Sequence, residues 1–424
     1  MISPIVWVLL VIILVVFLTI SGFIVATVSR RITAKRRYER LDRERKVFRE
    51  TVPRLLASPN PNLDEIRVRP KERIKWQALE DVLMDHIAKA EYREKVKEIF
   101  RELGYVAYYE NRLKRRSVIE RAAAIDRLGG MRSEASMEHL IRMLDSKNSE
   151  LVSGAVRAIT RIRSMEGLRA ILDRLPALRA SNLIAQKLVE ASLTKLGRDG
   201  APVLLQYASG TEDREMVALV LEVISNFEFP EALPFVIERL RDENPEVRAK
   251  AAKAFGKVDP GRAGPQAERL LPMLEDPVWY VRLQAAKTLG GMKYAQARAG
   301  VGRLLLDDKW QVRGVAATAL VSIGEGAIDI FWQILRQNDR YANESICEEI
   351  GKTELIRRLI DNLGTPAAAD YQKSREILET MVSLRFTAQL EEAMASDPRP
   401  NIRGELARIL EGPPAETPSA GARP

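Results

Sequence analysis

The chain has 424 residues, 46% hydrophobic and 29% charged, with one cysteine, two histidines and a net charge of +9. Cys347 alone closes no intrachain disulfide, and with His86 and His139 it falls short of the roughly four ligands a structural zinc site needs. The apolar fraction excludes a disordered chain, and 24 Gly with 21 Pro exclude collagen-like or low-complexity material. Few aromatics and abundant Ala, Leu, Arg and Glu favour helices over sheets.

Residues 1–29 carry no charged side chain, and Ile5 to Val28 is a nearly unbroken run of Val, Ile, Leu and Phe. As a helix this run is about 36 Å long, enough to cross a hydrocarbon layer of about 30 Å with some tilt. A signal peptide has a shorter apolar core after a basic start, and nothing basic precedes this one. Residues 1–29 are therefore expected to be a transmembrane anchor. Residues 30–50 hold ten basic residues, from Arg30 to Arg49, against Glu39, Asp42, Glu44 and Glu50, so they carry two thirds of the net charge. The positive-inside rule puts that side in the cytoplasm. The expected location is the cell (inner) membrane, single-pass, with the N-terminus outside and everything from Arg30 inside. The bilayer is then met by residues 5–28 and by the basic residues of 30–49, which suit anionic headgroups. Residues 51–424 carry only +3, so nucleic acid is not an expected partner.

Residues 30–50 read as a basic juxtamembrane helix, a solvated stalk whose seam of Ala34, Tyr38, Leu41 and Phe48 is too short for a coiled coil. Pro53, Pro59, Pro61 and Pro70 mark 51–70 as a linker. From 71 to 119 the pattern predicts a helical cap. Ile74, Ala78, Leu79, Val82, Leu83, His86 and Ile87 share one face; Val96, Ile99, Phe100 and Leu103 share another, closed by Gly104. His86 inside the first stripe reads as a packing residue.

From 120 to 411 the chain repeats. The stretch VRLQAAKTLG from Val281 to Gly290 has counterparts at Val247–Gly256, Val312–Val321 and Ile402–Glu411, and weaker ones starting at Glu120, Leu151, Leu188, Met216, Ala342 and Lys373. These ten starts are spaced 28 to 37 residues apart. Steps 0, 4, 5 and 8 (Val281, Ala285, Ala286, Leu289) line one side of a helix, and the small central pair admits a close neighbour. Each such helix follows another amphipathic one, so the unit is a helix pair that buries both faces only by stacking.

The pattern D-x(4)-V-R-x-x-A-A-x-x-L-G resembles the short, phycobilisome-lyase-type HEAT-like repeats of the armadillo-like helical superfamily. The fold class the resemblance implies is all-α, an alpha-alpha superhelix of about ten repeats preceded by the transmembrane helix and the stalk. With the anchor, the chain resembles bacterial membrane-anchored HEAT-repeat proteins. The resemblance implies that Asp242, Asp276, Asp307 and Asp397, with Arg248, Arg282, Arg313 and Arg403, form a structural ladder between repeats. The repeats starting at Leu151, Leu188 and Met216 lack the Arg, and there the ladder is expected to break.

Little in the sequence points to chemistry. Gly129-Gly130 and Gly290-Gly291 are expected C-caps, since no G-x-x-x-x-G-K-[ST] accompanies them. No G-x-S-x-G is present, and no His stands near Cys347, which takes a small core position equivalent to Ala286. The absence of a His-Glu dipeptide argues against the metal-dependent hydroxylases of the same repeat class. No catalytic residue, cofactor or metal is therefore expected, and the tail 412–424, with its four prolines, is expected to be disordered. Trp279, Tyr280 and Trp310 stand just before the repeat starts, and Phe331 and Trp332 follow in the next repeat. They read either as covers of the seam between repeats or as anchors for a partner, since Trp, Tyr and Arg are the usual hot spots. The favoured function is a cytoplasm-facing scaffold binding a membrane-associated protein. The alternative is a bilin-lyase-like enzyme or enzyme subunit.

Overall fold

The computed structural model describes residues 4–59, 61–324, 326–367 and 369–411, with side chains from residue 17 onward. The expected disordered tail lies outside the described residues. Among the described residues the chain is all helical, with no strand. It forms two compact units, residues 1–195 and 196–424. The boundary follows the repeat that starts at Leu188, one of the three without the template arginine.

The first unit opens with one helix, α1 (Pro4–Ala57). Phe17, Phe23, Val25 and Val28 on its apolar part are exposed, and the helix is long and apolar enough to cross a membrane. The expected solvated stalk and the start of the expected linker differ from what forms. Leu41, Phe48, Val52, Leu55 and Leu56 of α1 are buried, and the helix lies along α2 (Arg73–Ile87). Arg45 donates to Asp81 at 3.0 Å and Arg37 to Gln77 at 3.1 Å across that contact. Pro53 sits within the helix, where proline costs about 3 kcal/mol. Burial of Val52, Leu55 and Leu56 at about 1.5–3 kcal/mol each offsets it, so the helix runs seven residues into the stretch read as linker. The seam thus docks on the cap instead of standing in solvent.

Helices α3 (Arg93–Glu102) and α4 (Tyr105–Leu113) follow, joined through Gly104 at φ 81°, the left-handed turn expected there. Trp76 stacks on Tyr105 at 3.7 Å, and the Tyr105 hydroxyl donates to the Trp76 carbonyl at 2.9 Å. His86 Nδ1 pairs with the Val82 carbonyl at 2.8 Å, as a packing residue. Then come α5 (Val118–Gly130), α6 (Met137–Leu144), α7 (Ser149–Ile162), α8 (Met165–Ala180) and α9 (Gln186–Thr194).

The second unit runs α10 (Ala201–Gly210), α11 (Arg214–Ile224), α12 (Leu233–Arg239), α13 (Pro245–Val258) and α14 (Pro260–Ala263). A 3₁₀ helix (Gly264–Glu275) comes next, with Pro272 inside it. It is followed by α15 (Trp279–Gly291), α16 (Arg298–Arg303), α17 (Trp310–Ile323) and α18 (Ala327–Leu335). The unit closes with α19 (Arg340–Lys352), α20 (Leu355–Asn362), α21 (Tyr371–Ser383), α22 (Ala388–Ser396) and α23 (Pro400–Glu411).

Every one of the ten repeat starts falls two residues inside a helix, from Glu120 in α5 to Ile402 in α23. Consecutive second helices of the pairs lie side by side, α5 on α7 and α11, α13, α15 and α17 in series. The small central pairs make that approach possible: Ala251 and Ala252, Ala285 and Ala286, and Ala316 and Ala317 are fully buried, as are Ile346 and Cys347 in the same register.

The glycine pairs are not C-caps. Both fall inside their helices, α5 and α15, with ordinary helical φ. A Cβ on Gly129 would stand 2.6 Å from the Ala158 Cα, and one on Gly290 would stand 2.7 Å from the Ala319 Cα. The first glycine of each pair is therefore where one second helix touches the backbone of the next.

Candidate functional site

Two corners between first and second helices in the second unit share one construction. Asp276 and Asp307 each accept from the backbone N–H two residues on, at 2.9 Å, closing the corner. The arginine of the preceding repeat then forks onto the same carboxylate. Arg248 donates Nε and Nη2 to Asp276 at 2.7 and 2.9 Å, and Arg282 donates the same pair of atoms to Asp307 at 2.7 and 2.9 Å. The third nitrogen, Nη1, reaches back to the carbonyl of its own repeat's Asp at 2.9 Å in both cases. Bidentate, charge-assisted pairs of this kind are about twice as strong as neutral ones. The Asp276 hydrogen bonds raise the Arg248 pKa, and those of Asp307 raise that of Arg282.

The ladder differs from expectation at three places. Asp242 is met at 3.2 Å by Arg214, in the repeat that lacks the template arginine. Arg214 stands at the first position of α11, so a long side chain from three residues earlier covers the gap. The template alone could not show this, because the residue is off register. At the far end, Asp397 pairs with Arg399, which also reaches Asp361 at 2.6 Å. Arg399 holds the Asp397 carboxyl at about 2, well below the usual carboxylate range. The Arg403 charge adds to the lowering of the Asp397 carboxyl.

The third departure is Arg313. It makes the backward bond, Nη1 to the Asp307 carbonyl at 2.8 Å, but no forward fork. Gln337 stands where the next repeat would present its Asp. That corner is built otherwise, with Asn338 at φ 55° and Asp339 capping α19 by accepting from Ala342 N–H at 2.8 Å. The Arg313 Nε is shielded from water and has no hydrogen-bond partner, and the Tyr341 ring lies over the guanidinium at 5.3 Å. An unpaired buried donor costs about 1–3 kcal/mol.

Aromatic residues stand at three successive corners, and those of two of them, Trp310 and Tyr341, meet beside Arg313. Trp279 and Trp310 open α15 and α17. Trp279 and Tyr280 meet edge to face at 5.7 Å and are half-buried, whereas Trp310 is 70% exposed. The series continues at Tyr341, 62% exposed at the second position of α19. Sequence reasoning missed Tyr341, although it occupies the register of Tyr280 one residue before the repeat start.

Trp332 lies elsewhere, on the first helix α18, where its indole donates to Glu376 at 2.6 Å under the Arg336 guanidinium. It walls a groove of about 1120 Å³ with Thr380 and Arg408. Phe331 is fully buried and belongs to the core. Leu306, Asp307, Asp308, Trp310, Arg313 and Tyr341, with Asp339, surround a dent of about 340 Å³. Among the described residues no cluster of His, Cys, Asp and Glu has the makings of a metal site. Burial pushes the Cys347 thiol up to about 12.

Stacked helix pairs with interlocking corners make this a helical-repeat protein. The family model described as HEAT repeats matches residues 201–267 and 267–351, and these residues are HEAT repeats. No curated protein sequence matches the chain. Among solved structures, an engineered protein is 16% identical with a TM-score of 0.32, covering 82% of this chain and 97% of its own. The complex of CpcE and CpcF of phycocyanin lyase from Nostoc sp. PCC7120 is 19% identical with a TM-score of 0.29, covering 53% and 91%. Kap121p bound to Pho4p is 13% identical with a TM-score of 0.43, covering 82% and 48%. Likeness at this level concerns the helical-repeat architecture alone.

Proposed function

We propose that this protein is a membrane-tethered scaffold, single-pass in the cell (inner) membrane with its repeats in the cytoplasm, that holds a membrane-associated protein on the aromatic corner of its second unit. One observation carries the binding reading. Among the described residues of that unit, the exposed large apolar side chains are Leu306, Trp310 and Tyr341, and all three rim one dent. Scattered exposed hydrophobics need no explanation, but a cluster beside Arg and Asp has the composition of an interface hot spot. The apolar start of α1 and the basic residues 30–49 support the tether, and tethering raises the effective concentration of other membrane-bound chains. The proposal includes no catalytic step.

The test is capture from detergent-solubilised membranes. Replacing Trp279 and Trp310 together by Ala should abolish recovery of the partner that the wild-type chain retains, at about 2 kcal/mol or more per true hot spot, with helicity and membrane insertion unchanged. A folded double variant that retains the same partner would show these indoles to be seam covers. A C-terminal reporter should be active only in its cytoplasmic form; activity of an extracytoplasmic reporter would overturn the orientation.

A further inference from the structure

We infer that Arg313 is an open rung of the ladder and that it takes a side-chain carboxylate of the partner protein, an Asp or Glu flanked by an apolar residue. This rests on the scaffold reading above and names the chemistry of what the scaffold holds.

Three arginines occupy one register. Arg248 and Arg282 spend Nη1 on their own corner and Nε with Nη2 on the Asp of the next. Arg313 spends Nη1 in the same way, yet its Nε is unpartnered, because Gln337 has replaced the acid. The guanidinium is thus already oriented by its backward bond, and a carboxylate is the group its fork fits.

The acids around it are otherwise engaged. Asp307 is held by Arg282, Asp308 pairs with Lys309 and Arg282, and Asp339 caps α19. None of them fills the fork. Leu306, Trp310 and Tyr341 stand exposed around the dent, so the carboxylate should come with an apolar neighbour rather than as a free anion. The Tyr341 ring lies over the guanidinium at 5.3 Å, so the entering carboxylate has to displace it to reach Nε.

The probe is a displayed library of random peptides, each ending in an amide, panned against the full chain in detergent micelles. Peptides with Asp or Glu beside Leu, Phe or Trp should be enriched. Binding of a selected peptide should fall at least tenfold when its acid is changed to the corresponding amide, and by as much in Arg313→Gln. Arg313→Lys keeps the charge but has no fork; it should also lose most of the binding, and it guards against misfolding of the Gln variant, with helicity checked for both.

Enrichment without an acidic position, or acid-dependent binding unchanged in both Arg313 variants, would overturn the inference. So would binding only to peptides with a free C-terminal carboxylate in a parallel library. Each of these results leaves the scaffold reading to the separate capture test with the Trp279 and Trp310 variant.

Discussion

Gly290 offers a direct test of how the repeats are packed. An alanine Cβ there would lie 2.7 Å from both the Cα and the Cβ of Ala319, where ordinary carbon contacts stand at about 3.5–4.0 Å. The obstacle is backbone, so α15 and α17 must separate by roughly 1 Å at that point. Overpacking of this kind costs about 1–3 kcal/mol, and the better helix propensity of alanine returns at most about 1 kcal/mol. With the full return, Gly290→Ala should therefore destabilise by up to about 2 kcal/mol. Gly314 is the control: it lies within α17 and a Cβ there meets nothing within 4 Å. Gly314→Ala should stabilise by up to about 1 kcal/mol. Native-state amide exchange on the full chain reads both, in α15 and α17, because a repeat array loosens locally and not as one unit. Equal protection in the two variants, or a gain in Gly290→Ala, would refute the close approach.

Three further outcomes follow from the geometry. A double-mutant cycle of Arg282→Ala and Asp307→Ala should give a coupling energy on the order of 1.5–3 kcal/mol, read by the same exchange measurement; a value near zero would mean the fork adds nothing to the packing. Cys347, fully buried with its thiol raised to about 12, should resist a thiol reagent at pH 8 in the folded chain and react on unfolding. Burial raises the Glu80 carboxyl above its ordinary 4.5, against the opposing Arg127 charge and the hydrogen bond from the Tyr109 hydroxyl. A raised acid makes the folded chain bind the proton longer than the unfolded one. Its contribution is complete below 4.5 and is lost as pH climbs through the folded value, so thermal scans should show that decline in wild type and its absence in Glu80→Gln.

The repeat register was legible because each second helix repeats the same burial, so a template built on Val281, Ala285, Ala286 and Leu289 finds all ten helices. The fork partners Asp276 and Asp307 were legible for the same reason, since both ends lie in register. What escaped the sequence depends on contacts that no local pattern encodes. Leu41 and Phe48 read as part of a solvated stalk until α2 is seen to cover them. Arg214 covers a gap from three residues out of register. Gly290 reads as a cap unless Ala319 is known to press against it. Trp332 and Trp310 look alike in sequence, but one donates to Glu376 inside a groove while the other stands in the open beside Arg313.

On the proposed function, the corner around Trp310 and Tyr341 touches a partner in the cell. A photocrosslinking amino acid placed at Tyr341 in the full-length, membrane-inserted chain tests it most directly, with the same group at the exposed position Glu268 as control. A discrete adduct with one membrane-associated polypeptide is expected at 341, absent at 268 and lost when Arg313→Gln is added. No adduct at 341, or the same adducts at both positions, would contradict it.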